Sequence, residues 1–175
     1  MFATIYLPNF YLQAALRHQS ELCAKPVVLI NDKDKKVVII QLNQAAEKTG
    51  VHKGMTPSQG LARCLSLVIK TRAQSQEKLI DEILLHYAFT LAPYVEATAP
   101  GVCTIQFTDN RNLGPKLSGV IEQLAECEIS AQAGIAPTPD ASLLVAHLAR
   151  PVLQVEDPKQ FLAPLPIETL RYNRR

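Results

Sequence analysis

The sequence predicts an α+β protein built on a ferredoxin-like, mainly antiparallel sheet, with a small α/β insert. Three observations lead there. Short β-branched and aromatic runs alternate with helical stripes in the order β-α-(insert)-α-β-β-α-β once residues 26–73 are set aside, which is the split-βαβ order. Leu79, Ile80, Ile83, Leu84, Tyr87 and Leu91 form one stripe over Gln76 to Leu91, the strongest helical pattern in the chain. Residues 94–108 read as a hairpin turned at Pro100-Gly101, because Pro presets φ for the second turn position and Gly supplies the φ > 0 of the third in a type II turn. The expected division is a main domain over 1–25 and 74–165, an insert over 26–73, and residues 166–175 leading away from both.

Each element follows from local chemistry. Phe2 to Leu7 is a short apolar run that suits a buried strand. Pro8-Asn9 punctuates the chain, and Phe10 to Leu22 carries Leu12, Ala15, Leu16 and Gln19 at helical spacing. Two strands, Pro26 to Ile30 and Lys36 to Leu42, flank a polar turn over Asn31 to Lys35. A short helix over Gln44 to Thr49 stops at Gly50, a natural residue just past a helix end. Thr56-Pro57-Ser58-Gln59 combines a capping Thr, Pro at the first helical position and Gln at the third. Leu65 to Lys70 reads as a strand. After the hairpin, Leu113, Leu117, Val120, Ile121 and Leu124 mark a helix, and Ile129 to Ile135 a last core strand. Thr138-Pro139 starts a final helix that runs through Ala149 and is stopped by Pro151.

Composition narrows the function classes. The chain has 175 residues, 47% of them hydrophobic and 19% charged, which suits a globular domain rather than a disordered segment. No apolar run approaches the roughly 20 residues that span a bilayer, and MFATIYLPNF lacks a basic segment ahead of its apolar stretch, so no membrane association and a cytoplasmic location are expected. Cys23, Cys64, Cys103 and Cys127 contain no C-x-x-C pair, and His18, His52, His86 and His147 are scattered. Neither a disulfide framework nor a metal centre is indicated, and no cofactor is expected. The net charge of +2 is compatible with nucleic acid without arguing for it. The glycines form neither a G-x-G-x-x-G nor a Walker pattern.

Two segments carry a family resemblance. Ala45-Ala-Glu-Lys-Thr-Gly-Val-His-Lys-Gly-Met55 resembles the fingers segment of Y-family (UmuC-like) translesion DNA polymerases, where a helix ends in Gly-Val and a second Gly follows four residues later. Gly134-Ile135 followed by a helix closing in Ala149-Arg150-Pro151 resembles the same family's palm motif. The resemblance covers residues 1 to about 165 and implies a palm, a fingers-like insert over 26–73, and a linker over 166–175 toward a thumb. It makes the chain a palm-and-fingers fragment or a naturally short relative. The fragment is favoured, since Arg171 to Arg175 ends without a closing element.

The resemblance also implies which positions to inspect. Family members hold two metal ions with one Asp at the end of the first strand and an Asp-Glu pair at the hairpin, because a hard cation such as Mg²⁺ takes carboxylate oxygens. Gapless alignment places Leu7 at the first position, or Pro8 or Asn9 with a shift, and Pro100-Gly101 at the pair. The fingers Tyr and Arg that hold the triphosphate align with Gln44 and Glu47, and the palm Lys with Leu143. The aromatic sugar-sensing position falls on Leu12 or, with a shift, Tyr11. The nearest acids, Glu96 and Asp109, lie several residues from the turn.

Retained scaffold without the acids resembles ImuB-type proteins, noncatalytic Y-family relatives of damage-induced (SOS) mutagenesis and DNA repair. Ile5 to Asn9, Leu91 to Glu96 and Phe161 to Pro166 are also similar to that group. The resemblance implies a pseudoenzyme: an adaptor without catalytic residues, metal or cofactor. Its partners would be the sliding clamp, a RecA-like accessory protein and an error-prone C-family polymerase, with at most weak DNA contact. The alternatives are a ferredoxin-like regulatory or binding module unrelated to replication, and an active Y-family polymerase.

Overall fold

A computed structural model describes residues 1–166. The thumb-directed linker expected over 166–175 lies outside the described residues from position 167 onward. Contacts divide the chain into two compact units, Met1–Pro8 with Ile83 onward, and Asn9–Glu82.

The larger unit is a five-stranded sheet. Its strands are β1 (Phe2–Tyr6), β5 (Tyr94–Ala99), β6 (Val102–Gln106), β7 (Gln132–Ala136) and β8 (Val152–Gln154), in the order β5-β6-β1-β7-β8. β1 pairs antiparallel with both β6 and β7, while β7 and β8 run parallel. Strand alternation puts Ala3 and Ile5 of β1, Cys103 and Ile105 of β6, and Ala133 and Ile135 of β7 on one face, and all six are fully buried. The helix α5 (Leu113–Glu126) buries the stripe that the spacing of its leucines predicts. The helix α6 (Pro139–Leu148) lies against β7 and β1. Gly134 permits that approach, because a Cβ there would sit 2.2 Å from the Ala146 amide nitrogen and 2.4 Å from the Ser142 carbonyl oxygen.

Under α6 runs a chain of hydroxyls. Thr4 Oγ1 lies 2.7 Å from Ser142 Oγ and 3.3 Å from Thr104 Oγ1, and Thr104 is 2.8 Å from Thr98 Oγ1. Ser142 also donates to the Pro139 carbonyl at 2.7 Å. Polar side chains buried on a sheet face need partners, and these hydroxyls supply one another.

The smaller unit has a three-stranded sheet in the order β3-β2-β4, with β2 (Val27–Ile30) antiparallel to β3 (Ile39–Leu42) and parallel to β4 (Val68–Thr71). Alternation gives the sheet two apolar faces. Val27 and Leu29 pack with Leu12 and Ala15 of α1 (Phe10–Leu16), and Val28 packs with Ala46, Val51, Cys64 and Leu67 around α2 (Gln44–Glu47) and α3 (Pro57–Arg63). α3 opens with the capping box its sequence announces: Thr56 Oγ1 accepts from Gln59 N, and Gln59 Oε1 accepts from Thr56 N. α4 (Gln74–Leu91) runs from this unit into the larger one.

Several elements depart from expectation. α1 ends at Leu16 rather than Leu22, because Arg17 turns extended and His18 takes φ +61°; Leu22 reaches the same apolar cluster from a separate 3₁₀ turn over Ser20–Leu22. β3 begins at Ile39 instead of Lys36, next to a register shift at Leu29/Ile30. β8 and a terminal helix α7 (Pro158–Leu162) are additional, although Asp157-Pro158 is a helix-start signature and the Asp157 carboxylate accepts from Lys159 N and Gln160 N.

Candidate functional site

Leu7 and Gly101 are neighbours in space. The Leu7 amide donates to the Gly101 carbonyl oxygen at 2.9 Å, extending the β1–β6 ladder by one residue into the hairpin turn. The turn is built as expected, with Pro100 exposed and Gly101 at φ +70°. One strand of the hairpin carries an extra residue, Thr98, between the Ala97–Cys103 and Ala99–Val102 pairs. Such a bulge adds local twist and re-aims the strand end. The β1 end and the hairpin tip, the two places the resemblance singles out, therefore meet at one end of the central strands of the larger sheet.

Leu143 lies half-buried on α6, beside Ser142, whose hydroxyl reaches β1. At the end of the same helix the His147 ring packs against Tyr6 in a tilted contact, with ring centroids 4.0 Å apart and planes inclined by 58°. Burial holds the His147 imidazole below its ordinary pKa, since an apolar setting disfavours the charged ring.

The remaining positions belong to the smaller unit. Gln44 and Glu47 are both exposed and lie three residues apart on α2, hence on one helix face. Asn9 takes φ +49° ahead of α1; its carbonyl accepts from Gln13 N at 2.9 Å, and its side-chain nitrogen makes a long 3.5 Å contact to the Leu42 carbonyl. Leu12 is core at 3% exposure. Tyr11 lies under the Arg72 guanidinium, 4.1 Å from ring centroid to Cζ, a cation–π contact. Arg72 is fixed in turn by Glu77, to which its Nε donates at 2.9 Å, and this charge-assisted pair raises the guanidinium pKa.

Sequence reasoning missed Asn43. Its Oδ1 accepts from Val27 N and Ala46 N, both at 3.0 Å, and its Nδ2 donates to the Lys25 carbonyl at 2.7 Å. One side chain thus caps α2 and fastens β2 to it. An Asn ahead of Gln-Ala-Ala-Glu is the capping signal that announces this role.

A pair of divalent cations does not fit the positions implied for it. Leu7, at 1% exposure, fills the core, and neither Pro100 nor Gly101 has a side-chain oxygen. Glu96 pairs across the ladder with Thr104, which is opposite Thr4, about 10 Å along β1 from Leu7. Asp109 is held by Arg111, whose Nε donates at 3.0 Å, and the guanidinium keeps the Asp109 carboxyl below the usual range. Among the described residues no group of three or more His, Cys, Asp or Glu is placed to hold a metal ion, and no helix is long and apolar enough to cross a membrane. An open hollow of about 250 Å³ lies over Phe2, Tyr94, Glu96, Thr104 and Gln106, smaller than the ~300–1,000 Å³ of typical small-molecule sites.

Known proteins share this architecture. The sequence profile described as "IMS: impB/mucB/samB family" matches residues 5–147. DNA polymerase IV of Ralstonia nicotianae is 24% identical over 170 residues, covering 92% of this chain and 48% of that protein. DNA polymerase IV of Protochlamydia amoebophila is 25% identical over 179 residues, covering 95% and 50%. The chain spans about half the length of the curated relatives it matches. Among solved structures, a post-insertion binary complex of Dbh DNA polymerase superposes with a TM-score of 0.85 at 16% identity, covering 96% of this chain and 52% of that one. DinB from Sulfolobus solfataricus superposes with a TM-score of 0.81, also at 16% identity, covering 96% and 52%. The α+β fold matches the palm-and-fingers fold of Y-family polymerases.

One expectation is corrected by these relatives. The losses at Leu7, Pro100, Gly101, Gln44, Glu47 and Leu143 imply a protein that is not an enzyme; the relatives are named as DNA polymerase IV, which points to an enzyme instead. At this identity, the alignment of single positions carries less weight than similarity over nearly the whole chain. The alternative of a ferredoxin-like module unrelated to replication also gives way, because the matched profile runs through both units: the chain belongs to the impB/mucB/samB family, that of the UmuC-like Y-family polymerases.

Proposed function

We propose that this chain is the palm-and-fingers half of a Y-family polymerase-like protein that handles primer–template DNA during translesion synthesis, in DNA repair. The observation that carries this reading is the family match over residues 5–147, which includes the meeting point of Leu7 and Gly101. In this reading residues 1–25 and 74–165 act as palm, 26–73 as fingers, and 166–175 lead toward a thumb. The setting is the bacterial cytoplasm.

The stretches Ile5 to Asn9, Leu91 to Glu96 and Phe161 to Pro166 support kinship with ImuB-type proteins. That kinship suggests the sliding clamp, a RecA-like accessory protein and an error-prone C-family polymerase as partners. Leu7, Pro100 and Gly101 offer no side-chain oxygen to a metal, so no catalytic step is assigned to them.

The test uses the natural full-length protein with a primer–template carrying an abasic site. Preferential binding at the primer terminus is expected. Nucleotide incorporation, the activity in the relatives' name, is read in the same reaction. Equal affinity for the junction and for blunt duplex, with no incorporation, would overturn the proposal.

A further inference from the structure

We infer that the hollow between Phe2 and Tyr94 seats the arginine side chain of a partner protein, whose extended segment lies along the free edge of β5. The place is remote from the meeting point of Leu7 and Gly101. Phe2 stands at the other end of β1, about 17 Å along the strand from Leu7, so the inference does not depend on what happens at that point.

Register builds the hollow. Tyr94, Gln106 and Phe2 stand side by side in one row across three strands, and Glu96, Thr104 and Thr4 form the next row. Alternation puts all six side chains on one face. α6 covers Thr4, whose hydroxyl reaches Ser142, and Pro139 at the start of that helix closes one side of the hollow. Buried Thr104 lies at its base, already bonded to Thr4 and Thr98. The remaining space, about 250 Å³, is lined by two aromatic rings, a carboxylate and an amide.

Those groups match a guanidinium. Glu96 is exposed, and no ion pair among the described residues engages it. Two cations of the larger unit are committed elsewhere, Arg111 to Asp109 and Arg150 to the Ala149 carbonyl. A carboxylate accepts two N–H groups from the planar fork of arginine, whose face stacks on an aromatic ring; an ammonium has no such plane. Tyr94 lies two residues from Glu96 on β5, about 7 Å along the strand, so one guanidinium reaches both. Its ring is 61% exposed, which suits a surface that a partner covers. Asp140, in the first turn of α6, offsets the positive end of that helix beside the hollow. The wider field agrees. Residues 9–82 carry eleven Lys or Arg against seven Asp or Glu, a formal +4, whereas the described part of the larger unit carries four against eight, a formal −4.

The strand edge indicates what carries the arginine. β5 is outermost in its sheet, so the backbone groups on its outer side are open to an added extended segment. β5 holds neither Lys nor Pro, two common guards of such an edge. The bulge at Thr98 confines regular pairing to Tyr94–Ala97. A second copy of this chain is the poorer occupant, because antiparallel self-pairing there brings one Glu96 near the other.

The experiment titrates the chain with fluorescein-labelled peptides TVRVT, TVKVT and TVXVT, where X is citrulline, a neutral isostere of arginine, and reads anisotropy. TVRVT should bind with a Kd below about 1 mM, about threefold tighter than TVKVT and at least about tenfold tighter than the citrulline peptide. Glu96→Gln should weaken TVRVT about fivefold and Tyr94→Ala about threefold, while the control Glu122→Gln on α5 stays within about 1.5-fold of the parent. Methylating the peptide nitrogens that flank the arginine should weaken binding about fivefold, as edge pairing requires. No binding of TVRVT, equal binding of the citrulline peptide, an unmoved Glu96→Gln, an equal loss in Glu122→Gln, or indifference to methylation would overturn the assignment. So would Nα-acetylarginine amide binding as tightly as the peptide, which would make the ligand a free small molecule. A dimer in sedimentation that Tyr94→Ala dissociates would overturn it in favour of a second copy.

Discussion

The two units solve the same packing problem in opposite ways. The larger unit closes by backbone proximity, with α6 resting on Gly134 and hydroxyls of Thr98, Thr104, Thr4 and Ser142 linked beneath it. The smaller unit closes through side chains, with apolar residues on both faces of a three-stranded sheet, Asn43 joining β2 to α2, and Arg72 held between Glu77 and Tyr11. The described part of the larger unit carries a formal charge of −4, the smaller unit +4. The tightest backbone approach, at Gly134, thus lies in the larger unit, while the smaller unit engages part of its cations, Arg72 with Glu77 and Lys78 with Glu82.

Glycine substitutions probe that contrast most strongly. Gly134→Ala should cost roughly 3 kcal/mol or more, because a Cβ 2.2 Å from a backbone atom forces α6 away and overpacking of this kind commonly costs 1–3 kcal/mol. Gly119→Ala, within α5 where a Cβ meets nothing, should instead stabilise by about 0.5–1 kcal/mol. Urea unfolding of both variants checks the pair, and equal effects would refute the close-approach account.

In the smaller unit, Arg72→Ala strands the Glu77 carboxylate at 7% exposure, with an expected cost of about 2–4 kcal/mol. Arg72→Met with Glu77→Leu should recover most of that loss. A double variant no better than Arg72→Ala would place the effect in the Tyr11 contact instead.

Thr4→Val tests the hydroxyl chain. It removes the central link but leaves Ser142 its bond to the Pro139 carbonyl, so a loss of about 1–2 kcal/mol is expected by thermal unfolding. The smallest effect is that of His147. Burial lowers its folded pKa, so the unfolded chain binds the proton first. Stability should therefore be unaffected above the ordinary value of about 6.5 and decline as pH falls below it. His147→Gln should flatten that decline between about pH 7 and pH 5.

Much of the fold is legible in the sequence because the signals are local. The Thr56 capping box, the Thr138-Pro139 helix start and the leucine stripe of α5 each declare themselves within one or two turns. β8 escapes such reading because three residues against an edge carry no alternation, and its pairing with β7 is set by tertiary contact. Periodicity draws α1 too long because the left-handed turn at His18 has no glycine to mark it. At the candidate site, the order of elements and Pro100-Gly101 are enough to place the hairpin beside β1. The hub at Asn43 and the crowding at Gly134 depend on atoms distant in sequence. An inference of lost catalysis from single positions goes further than the similarity of the whole chain to named polymerases allows.

That this chain belongs to a protein that handles primer termini can be checked by equilibrium binding of the natural full-length protein to three DNAs: a primer–template junction with an abasic site, blunt duplex and single strand of equal length. Binding should be tightest to the junction, by about tenfold or 1.4 kcal/mol over blunt duplex at fixed salt. Equal affinity for all three would refute it.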